Sequence, residues 1–169
     1  MKTGNTTLLQ AGVIAYRIRR GKVQVLLMTS RDTGRWIIPK GNIKPGTTPF
    51  EAAEQEAFEE AGVKGIIAGP APLGMFTYFK KLGSEEVRAA TVEVYLLEVK
   101  EQFKKWPERG ERQLAWVSVK KAVSLIEEPG VVPLLVKLMA TMGDFPDDLP
   151  PEKWTPDYAA FASACCGVM

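Results

Sequence analysis

The stretch Gly41–Val63, GNIKPGTTPFEAAEQEAFEEAGV, marks out one helix with its own start and stop signals. Thr48 suits an N-cap, Pro49 the first helical position, and Glu51 completes a Thr-x-x-Glu capping box. Gly62 suits the left-handed residue that ends a helix. Phe50, Ala53, Ala57 and Ala61 recur at helical spacing and are expected to face the core, where three small alanines allow close approach to a sheet. Glu56, Glu59 and Glu60 stand at i, i+3 and i+4, so their carboxylates are neighbours. Each like-charge pair at that spacing costs about 0.2–0.5 kcal/mol in an isolated helix. Charges near the C-terminal end also oppose the helix dipole, and no Lys or Arg lies within the helix to offset them. A divalent cation reverses the sign of this arrangement. Clustered carboxylate oxygens suit Mg²⁺ or Mn²⁺, which share phosphate oxygens with a substrate. A plain solvated acidic face is the other reading of the spacing.

The flanking sequence favours the cation. Lys40–Gly46 (KGNIKPG) brings flexible backbone and two lysines to the helix start, where exposed N–H groups can meet phosphate and a carbonyl can reach a metal. Residues 1–49 carry Lys2, Arg17, Arg19, Arg20, Lys22, Arg31, Arg35, Lys40 and Lys44 against the single acid Asp32, while residues 50–60 carry five glutamates and no base. A basic segment beside a compact acidic cluster points to an anionic ligand and a cation held together, hence to polyphosphate chemistry. The sequence pI of about 8.5 falls short of the strongly basic domains that bind nucleic acid, so no nucleic-acid partner is expected.

Further out, Ala11–Arg19 and Val23–Thr29 read as a hairpin, and Arg35–Ile38 as a short strand ended by Pro39. Lys40–Pro49 reads as a loop. A short strand is expected within Gly65–Leu73, then strands over Gly74–Lys81 and Val87–Val99, a charged loop over Glu101–Gln113, and a strand over Leu114–Val119. Helices are expected over Val119–Ile126 and Pro133–Met142. Strands on both sides of one helix, with helices at the end, make a mixed α/β sandwich. Residues 1–142 form the expected domain, and residues 143–169 an irregular Pro-rich extension that Trp154, Tyr158 and Phe161 would pack on it.

The 169 residues suit one domain, and 46% apolar with 25% charged residues is an ordinary globular composition. No apolar run has the length of a membrane span, so no membrane partner is expected. Histidine is absent, which excludes Ser-His-Asp and Cys-His catalysis and His-ligated zinc. Cys165 and Cys166 are adjacent, a poor structural disulfide, and the chain is expected to be cytoplasmic. Proton transfer therefore falls to carboxylates, Lys, Tyr or activated water.

The segment Gly41–Val63 resembles the Nudix box, G-x5-E-x7-R-E-U-x-E-E-x-G-U with U a bulky aliphatic, and matches it at Gly41, Glu56, Glu59, Glu60, Gly62 and Val63. The likeness extends over roughly residues 10–140. It implies a Nudix-type α/β/α sandwich with a mixed sheet, and Mg²⁺- or Mn²⁺-dependent hydrolysis of a phosphoanhydride in a small-molecule polyphosphate. Glu56, Glu59 and Glu60 would hold the metal with a carbonyl near Lys40–Gly41. Glu59 or Glu56 would take the proton, or else Glu108 or Glu111 from a later loop. The runs SRDTGRWIIPKG and EEAGVKG are most similar to diadenosine polyphosphate and diphosphoinositol polyphosphate hydrolases. That likeness implies phosphate clamps at Arg31, Arg35, Lys40, Arg88 and Arg112, and base stacking at Trp36, Phe76 or Tyr78. Thr47, Gln55 and Ala57 depart from the pattern, standing for Glu, Arg and a bulky aliphatic. A Thr47–Gln55 hydrogen bond is the expected replacement for the lost ion pair. The departures also leave room for a catalytically weak phosphate-ligand sensor on the same fold.

Overall fold

The computed structural model describes residues 6–143. The element order is β1 (Leu8–Arg19), β2 (Lys22–Thr29), β3 (Trp36–Ile37), β4 (Lys40–Asn42), α1 (Pro49–Ala61), β5 (Val63–Ile67), β6 (Gly74–Leu82), β7 (Glu86–Gln102), β8 (Leu114–Ser118), α2 (Val119–Leu125) and α3 (Val132–Met142). One eight-stranded sheet runs β3-β2-β1-β7-β5, with β4 on β1, β6 on β7 and β8 on β2. Among the described residues only β1 and β7 pair in parallel and every other pairing is antiparallel, so the sheet is mixed.

Alternation along β1 divides the core in two, because successive side chains leave a strand on opposite faces. Ala11, Val13 and Ala15 meet Ala53, Ala57 and Ala61 of α1, all six with no exposed surface. Ile14 faces the other way, toward Val119 and Ala122 of α2 and Leu134, Leu135 and Leu138 of α3. The architecture is thus an α/β/α sandwich. Phe50 lies half-buried beside the first layer and meets Tyr95 edge-on at 5.8 Å. Residues 144–169 lie outside the described part, and with them the expected packing of Trp154, Tyr158 and Phe161.

Two expectations about elements change. Lys40–Asn42, read as loop, is a short strand, paired Gln10↔Asn42, Ala11↔Gly41 and Gly12↔Lys40. Gly12 is what admits it: a Cβ there would lie 2.5 Å from the Pro39 carbonyl oxygen. Strand β7 also runs on to Gln102, into the segment expected to be loop, because β5 gives it partners as far as Val63↔Gln102.

Candidate active site

Helix α1 is built as its sequence indicates. The Thr48 hydroxyl accepts from the Glu51 N–H at 3.1 Å, and the Glu51 carboxylate accepts from the Thr48 N–H at 2.9 Å. Gly62 closes the helix at φ +68°, and Trp106 packs so tightly on it that a Cβ would meet the indole at 2.5 Å. The three alanines hold one side of the helix on the sheet. The glutamate side is thereby turned toward β4 and toward the loop 103–113 that joins β7 to β8.

Each glutamate has a different surrounding. Glu56 lies against Gly41, where a Cβ would overlap its carboxylate. Partial burial raises its pKa, and the charges of Glu59 and Glu108 raise it further. The Glu59 carboxylate accepts from the Gln55 amide at 2.7 Å. Glu60 is buried, its two oxygens divided between the Lys40 N–H at 2.9 Å and Arg112 Nη2 at 2.5 Å. Burial pushes Glu60 up to about 7, against the opposing pull of Arg112 and the Lys40 N–H. The loop 103–113 is tied to the end of the helix by the bonds Phe103 N–H to Gly62 O at 2.8 Å and Glu108 N–H to Glu59 O at 3.0 Å. Glu108 therefore reaches the glutamate face.

The expected convergence of three carboxylates is not preformed. Among the described residues no three acidic side chains come together as a ready cation cage. With like charges side by side and no counter-charge on the helix, Glu59 and Glu60 have each taken a donor within reach. The donor set still fits a divalent cation. The ligands are hard carboxylate oxygens, and Glu56 stays repelled by Glu59 and Glu108, which an added dication would relieve. The Thr47–Gln55 bond is also replaced: the Thr47 hydroxyl donates to the Lys44 carbonyl, and Gln55 turns to Glu59.

The basic residues expected to clamp phosphate separate into groups. Lys40 is half-buried, its Nζ 4.8 Å from the Tyr78 ring centre, and desolvation lowers its pKa. Lys80 is near enough to Lys40 to contribute to that lowering, and Arg88 pairs with Lys80 in register, so the three mark out one basic side of the sheet. Arg88 also bonds Glu86 at 2.5 Å, and its buried Nε has no acceptor among the described residues. Arg31 bridges Glu108 at 3.4 Å and Glu111 at 3.7 Å, while Arg35 pairs with Glu127 at 3.2 Å. Arg112 is withdrawn from the surface, holding Glu60, Glu108 at 3.3 Å and the Thr29 carbonyl at 3.1 Å. Of the aromatics, Phe76 is core, Trp36 is half-buried beside the same core, and Tyr78 donates to buried Gln10 at 2.8 Å. Gln10 in turn donates to Asn42 at 2.8 Å, a network that the sequence does not signal.

The model of the NUDIX domain family matches residues 8–142. The chain belongs to the Nudix family. Among curated Nudix relatives, it is 32% identical over 157 residues to Nudix hydrolase 13, mitochondrial, of Arabidopsis thaliana, covering 83% of this chain and 77% of that one. It is 31% identical over 120 residues to human diphosphoinositol polyphosphate phosphohydrolase 3-beta, covering 70% of this chain and 68% of that one. The fold resembles a C. elegans Ap4A hydrolase binary complex, with TM-score 0.62 and 23% identity over 82% of this chain and 100% of that one. As a Nudix hydrolase the chain is an enzyme of the pyrophosphohydrolase kind, acting on a pyrophosphate bond. Nudix hydrolases generally use divalent metal ions. Among the described residues no helix is long and apolar enough to cross a membrane.

Proposed function

We propose that this chain is a Mg²⁺- or Mn²⁺-dependent hydrolase of a phosphoanhydride bond in a dinucleoside polyphosphate or diphosphoinositol polyphosphate. The carrying observation is the glutamate face of α1, set against Gly41 on one side and the Glu108 loop on the other, with Lys40 and Arg31 at its margins. Glu56, Glu59 and Glu60 would hold the cation together with the backbone near Lys40–Gly41. When bound, such an ion neutralises phosphate oxygens and makes water a better nucleophile at neutral pH. Glu59 or Glu56 then takes the proton of the attacking water, and Glu108 and Glu111 are the carboxylates that the later loop offers. Lys40, whose N–H meets Glu60, and Arg31, which bridges Glu108, would orient a polyphosphate together with Arg35, and Lys80 and Arg88 would extend the basic side of the sheet. Guanidinium groups suit that work because they bind phosphate through two parallel hydrogen bonds. The phosphohydrolase names among the relatives support this substrate class.

One observation favours a second reading, a catalytically weak sensor of such ligands: Gln55 occupies an oxygen of Glu59, a candidate base. A panel of diadenosine polyphosphates, diphosphoinositols, ADP-ribose, NADH and deoxynucleoside triphosphates, each with Mg²⁺ and with Mn²⁺, separates the two. Turnover that Glu60→Gln abolishes supports the hydrolase. Tight binding with no turnover of any member supports the sensor. We place the chain in the cytoplasm on its cysteine usage; the Arabidopsis relatives are named mitochondrial or chloroplastic, so fractionation of a tagged chain is the test.

A further inference from the structure

Arg112 was expected to bind phosphate, yet its side chain is only 7% exposed and turned inward. Its Nη2 lies 2.5 Å from Glu60 Oε2 and 3.3 Å from Glu108 Oε1, and its Nη1 donates to the Thr29 carbonyl at 3.1 Å. Its Nε is buried and has no acceptor among the described residues. A guanidinium seated purely to hold the fold would be expected to use all its donors, since buried polar groups are almost always paired. This one has no acceptor for Nε among the described residues, while its charge sits on a candidate cation ligand. The helix itself supplies no substitute, because Gln55 brings Glu59 an amide without charge.

We propose that Arg112 is a positioning residue that competes with the divalent cation for Glu60. While the glutamate face carries no dication, Arg112 fixes the Glu60 carboxylate from one side and the Lys40 N–H fixes it from the other. A dication drawing on Glu60 Oε2 meets a guanidinium at hydrogen-bond distance from the same oxygen, and two positive groups so placed repel. Arg112 then gives up Glu60 and keeps Glu108 and the Thr29 carbonyl, both already within its reach. The loop 103–113 stays attached throughout, because the Glu108 N–H to Glu59 O bond does not involve the guanidinium. The inference rests on reading the glutamate face as a cation seat.

The test uses the full chain without substrate. Mn²⁺ binding is titrated by the electron-spin-resonance signal of the free ion, in the wild type, Arg112→Met and Arg112→Lys. At a pH alkaline enough to keep Glu60 ionised without the Arg112 charge, removing the competitor should tighten Mn²⁺ binding in Arg112→Met by roughly fivefold or more, a size typical of coupled sites. Arg112→Lys, which keeps a cation, should shift less. Should Arg112→Met fail to fold, the wild type decides. Its Arg112 guanidinium proton resonances, assigned through Arg112→Lys, should move as Mg²⁺ is added. Mn²⁺ affinity unchanged or weakened in Arg112→Met, or Arg112 resonances indifferent to Mg²⁺, overturns the competition and leaves the cation seat standing. A wild type that takes up no Mn²⁺ overturns the seat itself, and the competition with it.

Discussion

At the scale of single residues, Gly41 controls how closely the β4 backbone meets the glutamate face. A methyl group there overlaps the Glu56 carboxylate, so either the strand or the side chain must move. Displacements of about 1 Å at a reacting centre can cost about a hundredfold in rate. Gly41→Ala is therefore expected to lower kcat by that order while its melting temperature changes little; steady-state kinetics beside a thermal melt check both. The choice of base is decided similarly. Loss of a general base costs about 10²–10⁴ in rate. Whichever of Glu56→Gln and Glu59→Gln loses that much kcat at saturating Mn²⁺, with the smaller loss of Mn²⁺ affinity, identifies the proton acceptor. Should both variants keep their kcat, the base lies on the later loop, and Glu108→Gln becomes the variant to measure.

At the scale of elements, α1 was legible because its signals are local. Thr48, Pro49, Glu51 and Gly62 act within a turn of where they stand, and the structure uses all four as expected. Thr48→Ala should remove the side-chain cap and cost about 1 kcal/mol, read as a small drop in melting temperature with kinetics preserved. Ala57 shows why a departure from the family pattern is tolerated. It is fully buried against the sheet, so the bulky aliphatic of the pattern has no space in this interface. Ala57→Leu should overpack and destabilise by about 1–3 kcal/mol, measured by denaturant unfolding. Strand β4 was not legible, since Lys-Gly-Asn has loop composition and becomes a strand only through pairing with β1, some thirty residues earlier. The pairing of Glu60 with Arg112 was hidden for the same reason. It links positions 52 residues apart, and no pattern of spacing reports such a contact. The carboxylate spacing was visible in the sequence; which donor each carboxylate would meet was not.

At the scale of the whole molecule, the described fold ends cleanly. Helix α3 stops at Met142, and Gly143 caps it in the left-handed region at φ +65°. A chain ending at Gly143 is expected to keep both its melting temperature and its turnover, measured beside the full-length chain. Loss of either would show that residues 144–169 belong to the working unit. Removal of divalent ions with a chelator should abolish hydrolysis, and added Mg²⁺ or Mn²⁺ should restore it, with the secondary structure seen by circular dichroism unchanged.

The parallel pairing of β1 with β7 has a consequence for biogenesis. Partners such as Leu8 and Ala90 are 82 residues apart, so the middle of the sheet stays open until most of the chain exists. At roughly 5–20 residues per second of synthesis, β1 waits on the order of ten seconds for β7 to leave the ribosome. Through that interval the apolar run Ala11–Ala15 lacks β7 along its whole length and has β4 beside Ala11 and Gly12 and the alanines of α1 against Ala11, Val13 and Ala15. The nascent amino-terminal third is thus the stage at which a chaperone would find most to hold, and topology of this kind also makes unaided refolding slow.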